Sequence, residues 1–309
     1  MNTKYYENMK SVPFDEWVSG LRREKQLYDW CAALPSLPDE NFQRRFVGRA
    51  YGDAMQQAID AVELFKVLIN RVGNKFGDND RVVDFGCGWG RISQTLYRYF
   101  KPCNIISADI QHDAIDFCRK SGLATKLYHV INQNLDMIED GSIHHIFAFS
   151  VFSHLNEELA NKWIMEFYRI LKPGGSVAIT TRHISFLRHV EYLKTLPKEK
   201  IPPHAIGLIE AFSNSEKAVA DFNDGCFVYR DYPRLSKVGV GYGEAIIPEY
   251  YVEKYWQPIF GGKTAYASPN GNIDQKTILL TKHIYFELFA KPAKERYFCL
   301  PPVVWWLWV

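Results

Sequence analysis

Residues 82–91 read "VVDFGCGWGR". A short apolar run ends in an aspartate, and three glycines then alternate with other residues. Glycines after a strand let the backbone approach a ligand closely, and the helix that follows presents unpaired N–H groups to an anion. The stretch therefore predicts a strand, a ligand-binding turn and a helix. It lacks the Gly-x4-Gly-Lys-Ser/Thr spacing of a triphosphate loop. It departs from the dinucleotide pattern as well. Gly86 and Gly88 fit its first two glycines, but Arg91 stands where the third, needed for tight helix packing, should be. Asp84 would repel a pyrophosphate and attract a cation.

The surrounding chain alternates strands and helices. "NIISADI" (Asn104 to Ile110), "KLYHVI", "IHHIFAFSVF" (Ile143 to Phe152) and "SVAITT" read as further strands. Their nearly continuous apolar character suits strands covered on both faces. Helices are expected at "RISQTLYRYF", from about His112 to Lys120, and after Asn156. Asn156 is an N-cap residue with Glu157 and Glu158 in the first turn, and that helix stops at "KPGG" (Lys172 to Gly175). Ahead of the core, apolar residues recur at helical spacing from about Asp39 to Val72. Between His183 and about Arg234 the alternation fails and prolines interrupt helical pieces, which reads as an insertion. "YGEAIIP", a helix at "PEYYVEKYW" (Pro248 to Trp256) and a strand at "KTILLTKH" restore the rhythm. The expected fold is α/β: a mostly parallel Rossmann-like sheet with helices on both faces and an antiparallel last strand. Its expected division is 1–75 as a helical extension and 76–290 as the ligand-binding domain, with 184–234 inserted as a cap. Residues 291–309 form an aromatic tail.

Composition narrows the function. The 309 residues are 47% apolar and 15% aromatic, enough for a large core, and 37 Lys and Arg nearly balance 35 Asp and Glu. That balance gives no reason to expect nucleic acid as a partner. Six cysteines form no C-x-x-C pair, so they read as free thiols. Neither a signal-peptide pattern nor a run near the roughly 20 apolar residues of a membrane span is present. A cytoplasmic location is expected.

The ligand that joins adenosine, a positive charge and an amino-acid carboxylate is S-adenosylmethionine. "VVDFGCGWGR" resembles the D/E-x-G-x-G-x-G motif of class I S-adenosylmethionine-dependent methyltransferases. Asp109, 25 residues after Asp84, stands where that family's acidic residue binds the ribose hydroxyls, and "ILKPGGSVAIT" matches its fifth strand with the preceding turn. The resemblance covers roughly the middle third of the chain. It implies cofactor contacts at Asp84, Phe85, Gly86, Gly88, Gly90 and Arg91, at Asp109 and Ile110, at Asn132 and at Ser150. It implies S-adenosylhomocysteine as product and no metal. Two positions depart from the family pattern: His144 replaces an Asp at the start of the fourth strand, and Asn132 replaces an adenine-contacting acid. Two adjacent strand histidines, His144 and His145, should point to opposite faces and cannot chelate together.

Methyl transfer needs an aligned acceptor and, for a hydroxyl, a base. His154, after the fourth strand, and His183, after the fifth, are the candidates. The alternative for each is a hydrogen-bonded histidine packing a loop. No N/D-P-P-Y/F or Pro-Cys motif marks a nucleic-acid base as acceptor. "YGEAIIPEYYVEKYW" and "FVGRAYGDAMQQAIDAVELF" resemble, more loosely, class I methyltransferases encoded with bacterial surface-polysaccharide genes. A small-molecule or glycan acceptor, methylated on a sugar hydroxyl, is the resulting expectation. N- or C-methylation of another metabolite and a cofactor-binding module without turnover stay open, and Arg91 and Asp84 oppose a nicotinamide oxidoreductase. The tail "LPPVVWWLWV" (Leu300 to Val309) suggests a homodimer or membrane-surface contact, with packing on its own domain as the alternative.

Overall fold

The computed structural model describes residues 9–23, 29–231 and 243–284. The aromatic tail expected at 291–309 lies outside them. At the start come α1 (Phe14–Leu21), α2 (Glu40–Val47) and α3 (Tyr51–Arg71). The single helical pattern read over 39–72 is thus two helices. Gly48, in the left-handed region at φ 68°, closes α2 and turns the chain into α3.

Four parallel strands follow with their helices: β1 (Val82–Phe85), α4 (Arg91–Leu96), β2 (Ile105–Asp109), α5 (His112–Lys120), β3 (Lys126–His129) and β4 (Ile143–Ala148). Next come α6 (Glu157–Ile170) and β5 (Leu171–Arg182). Asn156 caps α6 as expected, its side chain accepting from the Leu159 amide at 2.9 Å. "KPGG" does not end the helix; α6 stops at Ile170, and the four residues sit inside β5. There they offset its register with β4 between Leu171 and Ser176. The insertion contributes α7 (Phe186–Lys194), α8 (Pro203–Ala211), α9 (Ser215–Asn223) and β6 (Val228–Asp231). β7 (Gly243–Ile246), β8 (Gly261–Ala267) and β9 (Gln275–Lys282) complete the sheet. Between β7 and β8 the chain is helical over 249–260, with Val252–Trp256 wound as a π-helix.

The sheet order is β3-β2-β1-β4-β5-β7-β6, with β9 antiparallel to β5 and β8 antiparallel to β9. The expected mostly parallel sheet with an antiparallel last strand is what the chain forms. Strand alternation feeds two cores. Val82, Phe147, Ala178 and Leu279 face α3, α4 and α5, where Phe65 and Ile69 pack. Val83, Ile146, Ile179 and Leu280 face α6 and the 249–260 helix, with Trp163, Phe167 and Trp256. Residues 1–75 are therefore less separate than expected, because the buried side of α3 completes the first core. A third, smaller core of Leu187, Val190, Phe212 and Val228 holds the insertion together.

His144 and His145 do not separate as strand alternation predicts. His145 places Nε2 3.2 Å from one oxygen of Asp80 and His144 places Nε2 3.5 Å from the other. The register shift between Ile143 and His145 breaks the alternation there. Both sit at the N-terminal end of the strands, and among the described residues no group of His, Cys, Asp and Glu is arranged to hold a metal.

Candidate active site

The C-terminal ends of β1, β2 and β4 converge on a narrow cleft. Its walls include Gly86, Gly88, Arg91, Asp109, Ile110, Gln111, Ser150 and His154, with Phe46 from α2. The glycine loop forms its floor. Gly86 has φ 74°, and a Cβ there would stand 2.3 Å from the Val151 side chain, so the loop and the segment after β4 approach as only glycine permits. Asp109 fixes the other side. Its two carboxylate oxygens accept from the amides of Gly88 and Gln111, each at 2.8 Å. Burial raises its pKa and these amides oppose the rise. The side chain is held rigid at the cleft wall with lone pairs left over for hydroxyl donors. Ile110, next to it, is 51% exposed and offers an apolar flank.

Asp84 does not reach the cleft as its sequence position suggested. It faces the α4 side of the sheet beneath the loop, where Ser93 Oγ donates to it at 2.5 Å. Ser93 in turn meets Ser107 Oγ at 2.6 Å, and Ser107 meets Thr125 Oγ1 at 2.7 Å. Alternation decides this: Val83 and Phe85 take the opposite face, and Phe85 packs against Trp163 rather than a ligand. Burial pushes the Asp84 carboxyl up to about 7. The residue thus supplies a titratable charge under the floor, not a wall contact.

Arg91 ties the loop to the N-terminal helices. Its Nη1 donates to the Ala54 carbonyl at 3.1 Å and to Gln57 Oε1 at 2.8 Å, and its guanidinium lies over Phe149. Burial lowers its pKa to about 10, still far above neutrality. Cys87 and Cys118 pack below the loop, with the Cys118 thiol donating to the Gly88 carbonyl at 3.3 Å. Their mutual contact and burial push the Cys87 thiol well up, so it stays protonated and is no nucleophile.

The turn after β4 is held under tension. Ser150 has φ 60°, a costly backbone for a non-glycine residue. Three bonds keep it there. The Ser150 amide donates to Thr180 Oγ1 (2.7 Å), Thr180 Oγ1 to Gln275 Oε1 (2.6 Å), and Gln275 Nε2 to Ser150 Oγ (2.8 Å). The turn delivers His154 to the cleft. Its Nδ1 lies 2.9 Å from the Gly243 carbonyl and 3.8 Å from Glu244. A carbonyl only accepts, so Nδ1 carries the proton and Nε2 the lone pair in the neutral ring. Burial lowers the His154 pKa, with Glu244 partly opposing.

A second cavity of about 660 Å³ adjoins the cleft and shares Phe46, Val47, Arg91, Phe149, Ser150 and His154 with it. Its outer walls come from far along the chain: Arg49, Arg182, Phe186, His189, Leu208 and Asp274 among them. His183 is absent from both cavities. It bonds Ser185 Oγ at 2.8 Å and packs the turn into α7. Asn132 is exposed and lines neither cavity. Trp89 and Phe149 line the cleft and were invisible as ligand residues, since an aromatic in an apolar run reads as core. A larger hollow of about 970 Å³ lies over α7 and α9, away from the strand ends.

The glycine floor admits close approach, Asp109 lines the wall with a buried carboxylate, and the buried Arg91 supplies a positive charge. A family model described as a methyltransferase domain matches residues 82–175, from β1 into β5. Solved structures similar to the chain include DesVI of Streptomyces venezuelae, at 12% identity and a TM-score of 0.48, covering 80% of this chain and 99% of that one. Another is the 1,6-didemethyltoxoflavin-N1-methyltransferase of Burkholderia thailandensis, solved with S-adenosylhomocysteine, at 11% identity and a TM-score of 0.46. That match covers 88% of this chain and 91% of the other. A methyltransferase domain thus lies on the strands that build this cleft.

Proposed function

We propose that the enzyme methylates a hydroxyl of a small acceptor seated in the outer cavity, with His154 as general base and a sugar or glycan as the acceptor class. The position of His154 carries this reading: it lines both cavities, and its Nε2 holds the lone pair. Bound S-adenosylmethionine supplies an electrophilic methyl on a sulfonium, already an excellent leaving group. What the protein must add is alignment and a place for the hydroxyl proton. His154 takes that proton at Nε2 as the acceptor oxygen gains the methyl, and the Gly243 carbonyl with nearby Glu244 steadies the imidazolium. Asp109 and the glycine loop orient the donor. Phe46, Phe149 and Phe186 line the outer cavity and offer faces for sugar C–H groups.

The sugar reading draws nothing from the helix around Pro248 to Trp256. Tyr251 and Trp256 are buried in the second core, not at the site. The test is S-adenosylhomocysteine release with sugars, nucleotide sugars and small amines as acceptors, for the wild type and His154→Gln. Turnover on a sugar hydroxyl that collapses in the variant is expected. Turnover on amines alone, unchanged in the variant, would remove both the hydroxyl and the base.

A further inference from the structure

We propose that the acceptor carries an anionic group, a phosphate or a carboxylate, and that Arg49 and His189 hold it in the outer cavity. The proposal rests on reading that cavity as the acceptor site.

The cavity walls carry Arg45, Arg49, Arg91 and Arg182, together with His154 and His189, against a single acid, Asp274. Some of these cations are already committed. Arg45 pairs with Asp113, and Arg182 forks onto Glu244, its Nε at 2.6 Å and Nη2 at 3.2 Å from the two oxygens. Arg91 is spent on neutral partners in α3 and reaches the cleft as well as the outer cavity, so it serves the cofactor side.

Arg49 differs from all three. Among the described residues it has one long hydrogen bond, 3.4 Å to Asn272 Oδ1, and no carboxylate partner. It lines only the outer cavity. It is half-buried on the short connection after Gly48. His189 enters the same cavity from α7 and makes no hydrogen bond or ion pair among the described residues. One cation thus comes from the N-terminal segment and one hydrogen-bonding ring from the insertion, facing a common space. A guanidinium and an imidazole converging this way suit an oxyanion with several acceptor oxygens. With Arg45 and Arg182 paired, Asp274 offsets one of the two remaining guanidinium charges, Arg49 and Arg91, and leaves one positive charge on the wall.

The test is calorimetric titration of the enzyme saturated with S-adenosylhomocysteine. The probes are glucose 6-phosphate, glucuronate, glucose and inorganic pyrophosphate, and the proteins are the wild type, Arg49→Ala and His189→Ala. A charged probe should bind at least tenfold more tightly than glucose, and its affinity should fall as salt rises. The stronger of glucose 6-phosphate and glucuronate tells phosphate from carboxylate. Each variant should weaken the charged probe about tenfold and leave S-adenosylhomocysteine binding within twofold. Glucose binding as well as the charged probes, or no binding by any anion at millimolar concentration, overturns the proposal. So does an Arg49→Ala variant that loses S-adenosylhomocysteine, which would assign Arg49 to the cofactor. Anion binding beside methylation of amines alone would leave this site standing and remove the hydroxyl reading instead.

Discussion

The two halves of the site are built in opposite ways. The cofactor half is local: the glycine loop and Asp109 come from a single strand–helix–strand passage. The proposed acceptor half gathers Arg49, Arg182, His189 and Asp274, which meet only because α2, β5, α7 and the segment before β9 end near one another. A local site is specified by backbone geometry, so its residues must be glycines and one acid at fixed spacing. An assembled site is specified by topology, and nothing in the spacing of its members announces it. The acceptor half can therefore change its chemistry by single substitutions while the cofactor half cannot.

That contrast can be broken most sharply at His154, where the halves meet. His154→Gln should lower kcat by about 10²–10⁴-fold, the usual worth of a general base. It should leave the S-adenosylhomocysteine Kd within twofold, as calorimetry beside steady-state turnover would read. The pH profile adds a sign. Burial depresses the His154 pKa, so the neutral base survives to lower pH than an ordinary histidine. Activity should be flat above the usual histidine value near 6.5 and fall only below it. An acidic limb above that value would assign the proton transfer elsewhere.

The cofactor half should fail at Gly86. Gly86→Ala puts a Cβ against Val151 on a left-handed backbone, costing roughly 1–3 kcal/mol in strain if the loop holds its shape. Calorimetry should show cofactor affinity down by roughly fivefold to 150-fold, with the melting temperature lowered. Asp109→Ala should weaken binding by about tenfold to a hundredfold. It removes the ribose acceptor and strands the amides of Gly88 and Gln111, at roughly 1–3 kcal/mol for an unmet buried polar group. Asp109→Asn, keeping one oxygen, should fall between. Equal losses in the two variants would mean that charge, not hydrogen bonding, is what the ribose reads.

The smallest effect belongs to Asp84. A carboxyl raised to about 7 holds a proton in the folded state that the unfolded chain releases near 3.9. Its contribution to the stability of the free enzyme therefore declines as pH rises from about 4 to 7. A cationic ligand above it favours the ionised form. S-adenosylmethionine should bind a few-fold more tightly as pH rises through 7 and release a fraction of a proton, detectable by calorimetry in two buffers. Asp84→Asn should abolish the slope. A slope that persists in the variant would point to another group.

The division between local and assembled also explains what the sequence disclosed. The alternation of strands and helices, the glycine turn, Asp109 at the end of β2 and the N-cap at Asn156 follow from short-range rules and stand where expected. Asp84 was placed correctly on its strand but on the wrong side of the floor, because a carboxylate on a strand end reads as ligand-facing until its alternation with Val83 is known. Asn132 and His183 matched by position in the chain, yet the first projects into solvent and the second binds its own turn. Arg49 and His189 gave no signal, being ordinary polar residues, one on the connection after Gly48 and one on α7, 140 positions apart. The tail with Trp305, Trp306 and Trp308 lies outside the described residues. Among those described, no helix is long and apolar enough to cross a membrane.

The shared core of α3 and the sheet has a consequence for inheritance. The stretch that matches the methyltransferase model, residues 82–175, is a unit of descent but not a unit that could stand alone. Cut out, it would lose α3 from one face, Trp256 and Phe260 from the other, and β9 from beside β5. Recombination that moved only this segment would deliver a sheet that keeps α4, α5 and α6 but lacks part of its cover on each face. The flanking helices must travel with it, and new acceptor specificities in such a chain arise more readily by rewriting the flanks in place than by exchanging the middle.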